Sequence, residues 1–291
     1  MRAYDEPLRR DIGRRTLDER DLRQLDFTCY STTARVDQLA QLSAPDLSPA
    51  TDDEPRRRLK KGEPKPLPKP RGGPRPNWPQ GRYARVHAQM QIVNHWIELG
   101  YAEVERPNRD TPLWVVVTRA GMERIGALYD DVPFPAGNLE HMYLVNEVRL
   151  FLLRSTKIPL HTWTSEREIQ AHEPFKRKGL ELPHRTDGIM TIEIGGDMPL
   201  GGSTVHLDGG ERIAIEVERT RKDFKGLEKD ILPDLLAHYD RVWYFANPGP
   251  YAAVSQSREK LTSDQQKRLH IWRLNPHWWQ WKRPPEKKKE E

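Results

Sequence analysis

Apolar positions recur at helical spacing in two N-terminal segments. Leu17, Leu22, Leu25, Phe27 and Tyr30 predict a first helix, and Val36, Leu39 and Leu42 predict a second over 34–42. From Ser43 to Gln80 the pattern dissolves into prolines among acidic and then basic residues, including the alternating run Lys65-Pro66-Leu67-Pro68-Lys69-Pro70. Such a stretch predicts an extended arm with no packed element. Order resumes near Arg82, where Val86, Met90, Val93 and Ile97 form one stripe of an amphipathic helix that Gly100 ends. A strand at 101–104, turn chemistry at Pro107-Asn108-Arg109-Asp110 and a returning strand at 113–117 follow. Thr118 then caps a helix running through Met122, Ile125 and Leu128.

Beyond Pro135 the alternation changes. Met142, Val145, Val148, Leu150 and Leu153 mark a helix, and strands are expected at 160–164, 189–194 and 213–217, the last two joined by a glycine-rich connection. A helix over 223–238, a strand at 242–245, a helix over 255–269 and a strand at 270–274 complete the series. Helix, three strands, helix, strand, helix, strand implies an α/β layer with a mixed sheet. No internal repeat is visible.

Charge changes this picture more than composition does. The chain has 291 residues, 36% of them hydrophobic, enough for two domains, and no apolar run approaches the length of a membrane span. The N-terminus lacks the apolar core of a secretory signal. Cys29 is the only cysteine, which rules out an internal disulfide and a cysteine-based zinc site and fits a reducing cytoplasm. Between Pro55 and Pro76, Arg56, Arg57, Arg58, Lys60, Lys61, Lys65, Lys69, Arg71 and Arg75 stand against Glu63 alone, so the arm holds the chain's excess of positive charge. It is either a footprint for a polyanion or a solvated linker.

The sharpest chemistry lies in two motifs, Arg185-Thr186-Asp187-Gly188 and Arg212-Ile213-Ala214-Ile215-Glu216-Val217-Glu218-Arg219-Thr220. Strand geometry puts Ile213, Ile215 and Val217 on one face and Ala214, Glu216 and Glu218 on the other. Carboxylates that share a buried face need a cation, a base or a raised pKa, whereas on an exposed edge they need nothing. The ten histidines lack helical zinc spacing, although His184 lies three residues before Asp187. No nucleoside triphosphate loop is present. Trp272, Trp278, Trp279 and Trp281, beside Arg273, Lys282 and Arg283, either stack on unpaired bases or close the edge of the last strand.

Leu99-Gly100-Tyr101-Ala102-Glu103-Val104, followed by Val117-Thr118-Arg119-Ala120-Gly121, resembles the recognition-helix end, wing and closing helix of winged helix-turn-helix proteins over about 15–130. The resemblance implies that Arg82, Arg85, His87, Gln89 and Gln91 lie toward the front of a helix entering a major groove. A protein-binding winged domain would leave the same residues merely exposed. From about Glu140 to Leu274 the chain resembles the PD-(D/E)XK, restriction-endonuclease-like superfamily, and within it the replication-relaxation family of plasmids and other mobile elements. Its matching pieces are His141, Trp163-Thr164-Ser165-Glu166, Arg185-Thr186-Asp187-Gly188, Ile215-Glu216-Val217-Glu218-Arg219-Thr220 and a lysine on the next helix.

The second resemblance implies that Asp187 and Glu216 hold Mg²⁺ or Mn²⁺ at a scissile phosphate. Thr186 stands where proline is usual, and Glu218 where the superfamily lysine is expected, so Glu218 becomes a further ligand or the water-activating base. Lys229, with Lys222 and Lys225 behind it, is the candidate for a migrated lysine, and Glu147 is either an additional ligand or part of a solvated face. The expectation is therefore an α/β (α+β) protein. A winged helix-turn-helix at 15–130 with its arm at 43–80 precedes a nuclease-like domain at 135–276 and a tail at 277–291. It would bind duplex DNA in replication or transfer of a mobile element, alone or with other proteins of that element, with metal-dependent endonuclease activity. The alternatives are a non-catalytic initiator or regulator on a degenerate nuclease fold, and a module whose arm binds acidic proteins.

Overall fold

The computed structural model describes residues 16–43, 80–107, 113–127, 129–130, 133–155, 160–172, 184–200, 203–220 and 224–274. Arg56, Arg57, Arg58, Lys60 and Lys61 of the arm, and the tail at 277–291, lie outside the described residues. No helix among the described residues is long and apolar enough to cross a membrane.

The first half is built around a small sheet. α1 (Glu19–Tyr30) starts in a capping box, in which the Asp18 carboxylate accepts from the Asp21 N–H at 2.8 Å and the Asp21 carboxylate accepts from the Asp18 N–H at 3.1 Å. The second expected helix is split: β1 (Ala34–Arg35) pairs antiparallel with a later strand before α2 (Val36–Leu42) begins. α3 (Gln80–Glu98), β2 (Ala102–Glu105), β3 (Trp114–Val117) and α4 (Arg119–Arg124) follow, and the sheet runs β1-β3-β2. Thr118 caps α4 as expected, its hydroxyl accepting from the Gly121 N–H at 3.2 Å.

Only the C-terminal end of α3 is rotated from its expected register, since Val86 and Met90 still pack against the core. Val93 and Trp96 are fully buried, Ile92 and Gln89 nearly so, while Ile97 is 37% exposed. One residue is a turn of about 100° around the helix. The large Trp96 ring takes the inward position, among Leu25, Leu39 and Val115, and thereby turns Ile97 out.

The second half is a mixed α/β layer. α5 (Leu139–Ser155), β4 (Leu160–Ser165), α6 (Glu166–His172), β5 (Gly188–Ile194), β6 (Gly196–Leu200), β7 (Ser203–Leu207) and β8 (Arg212–Glu218) come first. α7 (Phe224–Gly226) continues through a π-helical turn (Leu227–Ile231) into α8 (Leu232–His238), followed by β9 (Arg241–Ala246), α9 (Pro248–Arg258), α10 (Ser263–Arg268) and β10 (Leu269–Arg273). The five-stranded sheet has the order β10-β9-β8-β5-β4, antiparallel from β4 to β8 and parallel from β8 to β10. The glycine-rich connection folds into its own hairpin, β6–β7. The single helix expected over 255–269 is two, because Pro248 starts α9 early and Thr262 begins α10 with a capping box.

Both faces of the large sheet are covered. Met190, Ile192, Ile213, Ile215, Trp243 and Phe245 meet α5 and the hairpin, with Leu144, Val148, Leu152 and Met198 in the same cluster. Ala214, Val242 and Tyr244 meet Leu227, Leu232, Leu235 and Val254 on the other side.

The two halves interlock through polar groups with little exposure. Gln38 donates to the Tyr143 carbonyl at 2.9 Å and to Glu147 at 3.1 Å, and Asn146 donates to the Thr33 carbonyl at 3.0 Å. Arg35 forks onto Asp37, both bonds at 2.5 Å, with its guanidinium 3.9 Å from the centre of the Tyr143 ring. Arg167 donates to the Cys29 carbonyl at 2.8 Å, and burial holds the Cys29 thiol up at about 11. Glu147 is neither a metal ligand nor solvated: at 6% exposure it belongs to this joint.

Replacing Trp96 tests the rotated register. Trp96→Ala is expected to cost about 3–5 kcal/mol in urea unfolding, against less than about 1 kcal/mol for Ile97→Ala. Equal costs would restore the register expected from the apolar spacing.

Candidate functional site

β8 carries the site because its side chains from Ile213 to Glu218 are all buried. The period-two pattern sends Glu216, 3% exposed, and Glu218, 9% exposed, to the face that also bears Ala214. Asp187 comes just before β5. Gly188 pairs antiparallel with Ile215, so the same register continued one step back sets Asp187 beside Glu216.

Local hydrogen bonds hold Asp187 in place. One carboxylate oxygen accepts from the Val217 N–H at 2.7 Å, and the other is 2.8 Å from His141 Nε2 on α5. Thr186, fully buried, donates its hydroxyl to the Ile215 carbonyl at 2.6 Å. That bond ties the turn to β8, a link that proline, having no hydroxyl, could not make. His184 Nε2 lies 3.5 Å from a Glu216 oxygen.

Burial and mutual repulsion set the protonation of this cluster. Burial pulls the His141 pKa down, but the hydrogen bond and charge of Asp187, with Glu166 and Glu218, outweigh it and hold the pKa above 6.5. Burial, then the charge of Asp187, raises the Glu166 carboxyl above 4.5. The Tyr244 phenol is held well above 10 by burial first, then by Glu216, Glu218 and Asp187. The charge of all three carboxylates is therefore felt at Tyr244 on β9.

Oxygen donors of this kind suit a hard divalent cation such as Mg²⁺ or Mn²⁺. Among the described residues no group of three or more His, Cys, Asp or Glu side chains already has the geometry of a metal centre. Both Asp187 oxygens are engaged, so a cation would take the place of His141 on one of them. The chemistry of the donors suits the group: among the described residues the buried Tyr244 hydroxyl has no hydrogen-bond partner, and it feels negative charge from Glu216, Glu218 and Asp187 that a cation would neutralise.

The remaining expected residues are dispersed. Lys229 is exposed on the π-helical turn, and among the described residues it makes no ion pair with Asp187, Glu216 or Glu218. Lys225 is exposed, and Lys222 lies outside the described residues. The cations nearest in the chain are Arg185, exposed, and Arg219, which forms an ion pair with Glu140. On α3, His87 and Gln91 are exposed, and the side chains of Arg82 and Arg85 are not among those described. Gln89 requires correction. It is 2% exposed, donates to Gln24 at 2.8 Å and accepts from Ser43 at 3.0 Å, because it shares the inward face with Val93 and Trp96.

Sequence reasoning gave no role to Tyr244, Glu166 or Arg219. Tyr244 was findable, since a parallel β9 in register with β8 places it opposite Glu216. A cavity of about 250 Å³, lined by Thr118, Arg119, Met122 and Arg167, contains none of the three carboxylates. Comparison with protein families, curated proteins and solved structures finds no match to this chain.

The raised pKa values of His141 and Glu166 mean that the folded site binds protons more tightly than the unfolded chain. The stability that His141 contributes is fully present below its unfolded value, near 6.5, and is lost as pH rises through its folded value. In cation-free urea unfolding, the advantage of wild type over His141→Gln is expected to shrink as pH rises above about 6.5. An advantage constant with pH would contradict this assignment.

Proposed function

We propose that this chain is a cytoplasmic DNA-binding protein of a plasmid or other mobile element, similar to the replication-relaxation family, with metal-dependent endonuclease activity. The observation that carries the reading is the strand register, which sets Asp187 beside Glu216, with Glu218 two residues further along the same face of β8. Support for a winged helix-turn-helix comes from the order α1, β1, α2, α3, β2, β3, α4 and the sheet β1-β3-β2. Support for a restriction-endonuclease-like fold comes from α5 leading into the antiparallel β4, β5 and β8, followed by a helix and the parallel β9.

In this mechanism a bound Mg²⁺ or Mn²⁺ supplies Lewis acidity toward a phosphate oxygen and a lowered pKa for water. Asp187 and Glu216 would hold it, and Glu218 would serve as a further ligand or as the base that takes a proton from water. Val217 fixes the Asp187 carboxylate through its N–H, keeping one oxygen oriented. Arg185 and Arg219 flank the carboxylates in the chain and can bind backbone phosphates. Lys229, from its exposed turn, joins only if the helix moves. His87 and Gln91, exposed on α3, would face the duplex, and Arg82, Arg85 and the basic arm would add positive charge for its phosphates.

A non-catalytic initiator or regulator is the second reading. It is favoured by Glu218 in the lysine position together with the exposure of Lys229.

Supercoiled DNA incubated with Mg²⁺ or Mn²⁺ separates the two readings. Wild type is expected to nick or cut, and Asp187→Ala to lose at least about 100-fold in rate while still binding DNA. Identical products from both proteins would remove the nuclease assignment. Affinity for duplex DNA is expected to fall by about 10³ or more between 50 and 200 mM salt if six or more phosphates are contacted. A flat salt dependence would remove the arm from the DNA interface.

A further inference from the structure

Tyr244 is chemically out of place in its surroundings. It lies at the centre of β9, 0% exposed, in a cluster whose other members include Leu232, Leu235, Leu236 and Val254. Phenylalanine would satisfy that packing, yet here a hydroxyl is carried inside, and among the described residues it has no hydrogen-bond partner. A buried polar group without a partner is costly, so its place in a native fold needs a reason.

The register supplies the reason. β9 pairs in parallel with β8 so that Tyr244 is opposite Glu216, and Ala246 is opposite Glu218. Residues opposite one another share a face, so the phenol ring runs alongside the Glu216 side chain, and the small Ala246 leaves space next to Glu218. A phenol is protonated at neutral pH, so the hydroxyl is available there as a donor. Among the described residues Trp243 and Ser257 also carry buried polar atoms without partners, but the register puts Tyr244, and not these, opposite Glu216.

We propose that Tyr244 is a positioning residue of the cation site, its hydroxyl donating to an oxygen of the shell around a divalent cation held by Asp187, Glu216 and Glu218. The proposal rests on the reading of these carboxylates as a cation site. The oxygen is either a carboxylate oxygen turned toward the cation or a water held by it, and in each case the phenol fixes its orientation. A group of this kind acts through the ligands and does not touch the substrate.

The test is Mn²⁺ binding to the full chain by titration calorimetry, with thermal unfolding recorded with and without Mn²⁺. Tyr244→Phe removes one oxygen and keeps the ring. It is expected to bind Mn²⁺ about 10-fold more weakly than wild type. Without Mn²⁺ it should melt at the same temperature as wild type or higher, because an unpartnered buried hydroxyl has been removed. A variant that binds Mn²⁺ as tightly as wild type overturns the role of Tyr244 and leaves the cation site standing. Wild type that binds no Mn²⁺, or binds it no better than Asp187→Ala, overturns both. As a readout independent of the variant's folding, wild-type protein carrying 3-fluorotyrosine should show a fluorine resonance that moves on addition of Mg²⁺ and is missing from Tyr244→Phe. If every fluorine resonance is unmoved at saturating Mg²⁺, the proposal fails.

Discussion

A strand buried on both faces that nonetheless carries two glutamates is the constraint on which this fold turns. β8 is flanked by β5 and β9, its apolar side meets α5 and the hairpin, and its acidic side lies under the helix that follows it. Burying a carboxylate is expensive unless hydrogen bonds or opposite charge compensate it. Here the compensation is assembled from separate elements: His184 before β5, His141 on α5 and the Val217 N–H on β8 itself. These partners come from distant points of the chain, so the second half must close around β8 before its charges are compensated.

α5 joins this requirement to the first half. Its N-terminal turn presents His141 to Asp187, and further along the same helix Tyr143 and Glu147 accept from Gln38 while Asn146 donates to the Thr33 carbonyl. Arg149 extends the joint, 4.5 Å from the centre of the Phe27 ring, with burial drawing its guanidinium pKa down to about 10. A shift of α5 along its axis would disturb both ends together. The helix is thus a rigid physical link between α2 and the carboxylates, whatever ligand each half takes.

Much of the architecture was legible because period and punctuation are local signals. Alternation in 213–217 placed Glu216 and Glu218 on one face, and the structure keeps them there, buried. Thr118 and Gly100 marked helix ends where they fall in the fold. What escaped depends on tertiary choice. Val86, Met90, Val93 and Ile97 form an acceptable stripe in isolation, and only the volume of Trp96 and the pairing of Gln89 with Gln24 decide which face turns inward. The hairpin β6–β7 was hidden by its glycines, which read as a connection, and the break between α9 and α10 by an apolar count that ignored the Thr262 cap. In the site, Asp187, Glu216 and Glu218 were readable as a pattern and His141 as a piece of the resemblance, whereas Tyr244 joins it only through strand register and the bond from His141 to Asp187 only through helix placement. Lys229 followed from helix position alone, and its exposure shows that position in sequence did not carry orientation.

The central claim is that the carboxylates of Asp187, Glu216 and Glu218 form a divalent-cation site. Its most direct test is an anomalous difference map from a crystal of the protein soaked in Mn²⁺. The account predicts a peak about 2.0–2.4 Å from oxygens of both Asp187 and Glu216, with His141 displaced from Asp187. A saturating soak that leaves no peak there, with His141 still bonded to Asp187, would contradict it.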